Sequence, residues 1–219
     1  MLKHLNIKFS FIFFAGLILT SCNGEEEVEP KKKSETELST DIKAVETLFD
    51  SDIFPDPKMS ELLQELNMCN VNSKDTLDYN NPSCTPRFFR FFSMNDKMPI
   101  ENGFLLQVKS KVSGFPLRRL LIFIRERGQL VKVNGFVANL IGQRKSDSGY
   151  DDLLLRFNGN EEGESIFYNC YFGWNGSKYT FKSVEVIEGA NWGGPVKENF
   201  KDSMSVEIEK VLNQTSMLF

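Results

Sequence analysis

Histidine is nearly absent from this chain. Among 219 residues there is one, His4. It stands just ahead of Phe9 to Leu19, a run that is apolar except for Ser10. With Lys3 and Lys8 in front, that run reads as the core of an export signal and is too short to span a bilayer. Residues 1–21 are therefore expected to leave the mature chain and to take the only histidine with them. A chain without histidine has no Ser-His-Asp or Cys-His catalysis and no His-ligated zinc or haem. Cysteine is scarce as well. The four are Cys22, Cys69, Cys84 and Cys170, and the last three alone are too few for a four-cysteine metal cluster.

Positive charge is in deficit. The formal charge is −4, and removing the signal, with its two lysines and no acid, lowers it by two to −6. That balance disfavours a nucleic-acid or anionic-membrane binder. Lys31-Lys32-Lys33 does not restore one, because it lies among glutamates. No internal repeat of solenoid or propeller period is present. Residues 23–38 are rich in Glu, Lys and Ser and almost devoid of apolar groups, as in a flexible tether. The expected organisation is a cleaved signal at 1–21, an anchoring and tether segment at 22–38, and one folded domain at 39–219.

Leu19-Thr20-Ser21-Cys22 resembles the lipobox of bacterial lipoproteins: a branched apolar residue, two small residues, then Cys. The resemblance implies diacylglyceryl transfer to the Cys22 thiol, cleavage before Cys22 and acylation of the new amine. Two or three acyl chains, at about 0.8 kcal/mol per buried CH₂, hold a protein stably on a membrane. Glu25-Glu26-Glu27 and Glu29 are similar to the acidic run that some Gram-negative bacteria read as a surface-export signal. A charged, extended tether is the other reading. No Asp occupies the second position after Cys22, so the inner-membrane retention signal is missing. The expected address is the outer membrane, lipid-anchored, with the outward-facing orientation left open.

Along the folded part, Ser39 or Thr40 is placed to cap a helix to about Asp50, with Ile42, Val45, Leu48 and Phe49 on one face. Asp56-Pro57 opens a second helix to about Asn67. Residues 69–86 form a polar loop bracketed by Cys69 and Cys84. An oxidising compartment predicts that these two pair, worth about 3 kcal/mol in the chain-entropy model. Unpaired thiols, or a rival bond to Cys170, are the alternatives. Cys170 itself lies in a strand-like run and reads as a small buried hydrophobe.

From Phe88 the pattern is β. Strand-like runs cover 88–92, 104–112, 117–125, 130–140, 153–157, 165–174 and 179–187. Gly128, Asn158-Gly159-Asn160 and Asn175-Gly176-Ser177 mark turns. Leu120 to Ile124 is apolar on both faces, as in a central strand. A last helix runs from about Glu198 to Asn213, with Phe200, Met204, Ile208, Val211 and Leu212 as its apolar stripe. The fold class is α+β. One antiparallel sheet of six or seven strands is expected against two N-terminal helices and one C-terminal helix. A β-sandwich with peripheral helices is the alternative.

Few residues point to chemistry. Asp147, Asp151 and Asp152 form an acidic loop without the ligand ladder of a calcium site, so no metal or cofactor is expected. Glu161, Glu162 and Glu164 form a second acidic turn. A carboxylate-based hydrolase needs no histidine, but spacing alone selects no pair. The aromatic residues are the better candidates for contact. Tyr171 and Trp174 lie in a strand of alternating rings, and Trp192 stands among small residues in 189–195. Arg118, Arg119, Arg125 and Arg127 are placed to make a basic patch on one hairpin. Tyr168-Asn169-Cys170 and Gly176-Ser177-Lys178-Tyr179 are similar to segments that small secreted lysozyme inhibitors carry on a sheet. The likeness covers about a dozen residues and implies an inhibitor. The expectation is a non-enzymatic envelope lipoprotein, held on the membrane through Cys22, that binds a protein or glycan and no nucleic acid. An inhibitor or immunity-type protein acting on an envelope hydrolase is the second reading, and a carboxylate hydrolase the third.

Overall fold

A computed structural model of the protein describes residues 42–46, 48–74, 78–112, 115–189 and 191–219. Cys22, the signal, the tether and the Ser39/Thr40 cap lie outside the described residues. Among those described, the chain is mostly β, with two antiparallel sheets and two helices. The six-stranded sheet has the order β1 (Ile42–Ala44), β6 (Asn139–Arg144), β7 (Asp152–Glu161), β8 (Glu164–Trp174), β9 (Tyr179–Gly189) and β10 (Trp192–Pro195). The four-stranded sheet runs β2 (Phe89–Phe92), β3 (Gly103–Val112), β4 (Phe115–Glu126) and β5 (Gln129–Phe136). The helices are α1 (Lys58–Glu65) and α2 (Glu198–Gln214).

The single expected sheet is thus two. The run read as one strand over 130–140 is where the chain changes sheets. β5 ends at Phe136 and β6 begins at Asn139 in the other sheet. Backbone groups freed at such a crossing must find partners, since an unmet buried polar group costs about 1–3 kcal/mol. Gln107, fully buried, supplies them: its Nε2 donates to Ala138 O at 2.9 Å and its Oε1 accepts from Leu140 N at 2.9 Å.

One core cluster draws on both sheets, including Leu105, Leu120, Ile122 and Phe136 from the four-stranded sheet and Leu153, Leu155, Phe157 and Phe172 from the six-stranded sheet. Ile208 and Leu212 of α2 complete it. The other face of the four-stranded sheet carries a second cluster, where Phe104, Leu106 and Phe123 meet Leu62 and Leu63 of α1. β4 is therefore covered on both faces, as its doubly apolar run requires. The loop beside α1 is closed by the Cys69–Cys84 disulfide. Cys170 is unpaired and buried.

The first expected helix does not form. Ile42–Ala44 instead pairs with Gly142–Arg144, and Val45 N donates to Ile141 O. A helix of about ten residues is marginal alone, whereas the open edge of β6 offers backbone partners. Ile42 also fills the space over Gly142, where a Cβ would come within 2.6 Å of its Cγ2. Asn158-Gly159-Asn160 is no turn either. β7 runs through it, and the reversal falls at Glu162 and Gly163, with φ of 52° and 89°. Gly159 leaves room for Tyr168, whose ring would lie 3.0 Å from a Cβ there. Within the segment expected as the Trp192 loop, Trp192–Pro195 is the edge strand β10.

Candidate functional site

The three aromatic residues singled out by the sequence do not come together. Trp192 is 50% exposed on edge strand β10, opposite Gly189 of β9. Trp174 pairs with Tyr179 at the other end of β9, ten residues or about 33 Å away. It is half-buried, edge-on to Tyr150 at 4.8 Å and to Tyr179 at 5.4 Å. Tyr171 is 4% exposed on the outer face of the six-stranded sheet, under the Arg144 guanidinium at 4.1 Å.

That outer face is tied by charge. Asp152, nearly buried, accepts from Arg144 at 3.1 Å and from Lys182 at 2.9 Å. Lys182 reaches it across Gly173, where any Cβ would collide with the lysine stem. One strand pair further, Arg156 donates to Asn169 Oδ1 at 2.9 Å and to Glu188 at 2.6 Å, and lies 5.4 Å from the Phe167 ring centre. Each arginine is engaged by both a carboxylate and a ring. The arrangement ties neighbouring strands of the outer face together.

Two clefts are better placed. The first, about 300 Å³, lies by β1, β2 and the start of β7. Lys43, Arg90, Asp96 and Asp151 are among its walls. Asp151, just ahead of β7, lines this cleft, while its neighbour Asp152 is tied to Arg144 and Lys182. Burial pushes the Asp151 carboxyl above the ordinary aspartate range, and the nearby charge of Asp96 adds to the rise. Asp96 itself sits between Lys145 at 3.3 Å and Lys43 at 3.8 Å.

The second cleft, about 330 Å³, opens where β5, β9, α2 and the last residues meet. Its floor is the buried pair Phe136 and Phe172, with ring centres 4.9 Å apart. Phe181 stands half-buried at one wall, edge-on to Phe172 at 5.6 Å. Phe219 stands 49% exposed at another. Lys132 Nζ lies 4.8 Å from the Phe219 ring centre. The tail that carries Phe219 is held at the end of β5 by a single antiparallel bridge, Phe136 to Leu218: Val137 N donates to Met217 O at 2.8 Å and Phe219 N to Gly135 O at 2.7 Å. Asn134 ties the sheets together across the cleft, accepting from Tyr179 N at 2.6 Å and donating to Tyr179 O at 3.1 Å. Tyr179, buried, donates its hydroxyl to Asp151 O at 3.0 Å, and burial holds its phenol far above the usual range.

At the rim are Lys178, Glu209 and Asn213. Among the described residues their side chains make no hydrogen bond or ion pair. The cleft therefore combines ring faces with uncommitted polar groups, as a small-molecule site does. Sequence reading missed it because its walls come from four distant segments. Its one local signal was the apolar ending Met217-Leu218-Phe219. Among the described residues, no group of three ligating side chains is placed to hold a metal ion. No protein-family model, curated protein or solved structure matches the chain.

Proposed function

We propose that this protein is an acyl-anchored lipoprotein of the bacterial outer membrane whose β-rich domain is a non-catalytic binding module for a glycan. The anchor is Cys22, carried by the lipobox-like Leu19–Cys22. The observation that carries the binding reading is the cleft between Phe181 and Phe219. A sugar ring has apolar C–H faces and a polar edge. It stacks on exposed aromatic rings, while its hydroxyls accept hydrogen bonds from amide N–H groups and donate to carboxylates around them. Phe181 and Phe219 supply the rings, and Asn213, Glu209 and Lys178 supply the uncommitted polar groups.

The test is a titration with oligosaccharides of neutral hexoses and of N-acetylated amino sugars. Phe181→Ala should raise Kd about tenfold, the loss of about 1.4 kcal/mol of ring contact, and Asn213→Ala should weaken binding without moving Tm. Unchanged affinity in both variants rejects the cleft. Trp192, exposed at the sheet edge, is the contact expected for a protein partner, and the inhibitor reading makes that partner a hydrolase. Cys170 carries no disulfide, so the Tyr-x-Cys likeness does not extend to a bond. The Asp151 cleft supports the hydrolase reading less well. Its other carboxylates are engaged, Asp96 by two lysines and Glu46 by Arg90, and acid–base hydrolysis needs two carboxylates free to act.

A further inference from the structure

The cleft beside β1, β2 and the start of β7 holds a charge that the fold does not balance. Arg90 donates to Glu46 at 3.0 Å, and Asp96 is held by Lys145 at 3.3 Å and by Lys43 at 3.8 Å. Of the charged residues that line the cleft, Asp151 is left over. It is partly buried, and its carboxylate makes no hydrogen bond or ion pair among the described residues. Lys145 and Lys43 act on it only from beyond ion-pair distance. A carboxylate drawn partly out of water without a partner costs stability. One that stands in a cleft points to a ligand that restores the balance.

Beside Asp151 are an open acceptor and a ring. Gln143 is 8% exposed and donates its Nε2 to Ser93 O at 2.8 Å. Its Oε1 accepts from no described residue and is not sealed from solvent, so it opens onto the cleft that Gln143 lines. Gln143 lies directly opposite Lys43 on β1 and the core residue Leu153 on β7, so all three share the face turned towards the four-stranded sheet. From that sheet Phe92 packs on the same core and lines the cleft.

We propose that this cleft is a binding site for a primary alkylammonium group, held by the Asp151 carboxylate, the Gln143 carbonyl and the Phe92 ring. An ammonium carries three N–H donors and no acceptor. Asp151 neutralises its charge, Gln143 Oε1 accepts a further N–H, and the ring attracts the cation. The cleft volume is about 300 Å³, roughly ten times the share of one water in the liquid, which is room for an organic amine. Among the described residues, no group of three ligating side chains is placed to hold a metal ion instead. The site is separate from the cleft between Phe181 and Phe219, and it stands or falls apart from the glycan reading.

The test is a calorimetric titration of the full chain near neutral pH with pentylamine hydrochloride. Potassium chloride at equal ionic strength and N-pentylacetamide are the controls. The amine should bind saturably and the controls should not. Asp151→Asn should weaken binding about tenfold or more, the loss of a charge-assisted hydrogen bond, without lowering Tm, because an unpaired carboxylate is removed. Phe92→Leu should weaken it about fivefold through the lost ring, and Phe181→Ala should leave it unchanged. Nα-acetyl-lysine amide distinguishes the sources of the ammonium. Binding as tight as that of pentylamine assigns it to a peptide lysine, weaker binding to a free amine, and either supports the site. The proposal is overturned by the absence of saturable amine binding, by equal binding of potassium, or by full affinity in both Asp151→Asn and Phe92→Leu.

Discussion

Substituting Gly135 by alanine should evict the Phe219 ring from the wall of the cleft. The backbone at Gly135 has no left-handed φ, so the substitution is not opposed by local conformation. What opposes it is the ring, with Cδ2 and Cζ standing 2.6 and 2.8 Å from where the Cβ would be. A ring about half exposed retains about half of a buried phenylalanine's value, about 1 kcal/mol. The contact with Lys132 adds about 0.5 kcal/mol at an exposed site. If the ring alone swings out, about 1.5 kcal/mol is lost. If the tail leaves β5, its two backbone hydrogen bonds raise the loss to about 3 kcal/mol. Alanine returns about 0.4–1 kcal/mol by restricting the unfolded chain. The net expectation is about 0.5–2.5 kcal/mol of destabilisation, read from urea unfolding. The control is Phe219→Ala. In that background Gly135→Ala should be neutral or slightly stabilising, because nothing remains to evict. An undiminished cost in the double variant would refute the argument and place the penalty elsewhere around Gly135.

Other outcomes follow from the same structure. Replacing Cys69 and Cys84 with serine should cost about 3 kcal/mol, measured by denaturant unfolding against the oxidised parent. Asp151 has a raised carboxyl in the folded state, so stability falls as pH rises from the ordinary value of 3.8 through the folded one, where the native state holds the proton longer. Asp151→Asn should flatten that part of the stability–pH curve, and an unaltered slope would contradict it. Cys170 is buried and its thiol is held well above its ordinary range by burial. It should resist iodoacetamide in the native protein and react on unfolding, as mass spectrometry would show.

The strands were legible where alternation or a continuous apolar run marked them, as at Val131-Lys132-Val133 and Leu120–Ile124. So was the Cys69–Cys84 bond, because the two cysteines bracket a polar loop. The division into two sheets was not. It depends on Gln107, thirty residues away from the crossing it satisfies, and a lone buried glutamine carries no local pattern. The helix expected before Asp50 failed because its spacing also suits an edge strand, and the tertiary offer of β6 outweighed a marginal helix. Among site residues, Trp192 was a candidate because it stands among small residues, and the structure exposes it at the sheet edge, while Tyr171 is covered by Arg144. Phe181 and Phe219 were passed over because each looks like core in one dimension. They stand at one opening only after α2 returns the last residues to β5.

The most direct test of the binding reading is hydroxyl-radical footprinting of the protein with and without oligosaccharides of neutral hexoses and N-acetylated amino sugars. The cleft predicts that Phe181 and Phe219 become shielded while Trp192 and Trp174 keep their reactivity. Shielding of Trp192 with Phe181 and Phe219 unchanged would contradict it and move the site to the edge strand β10.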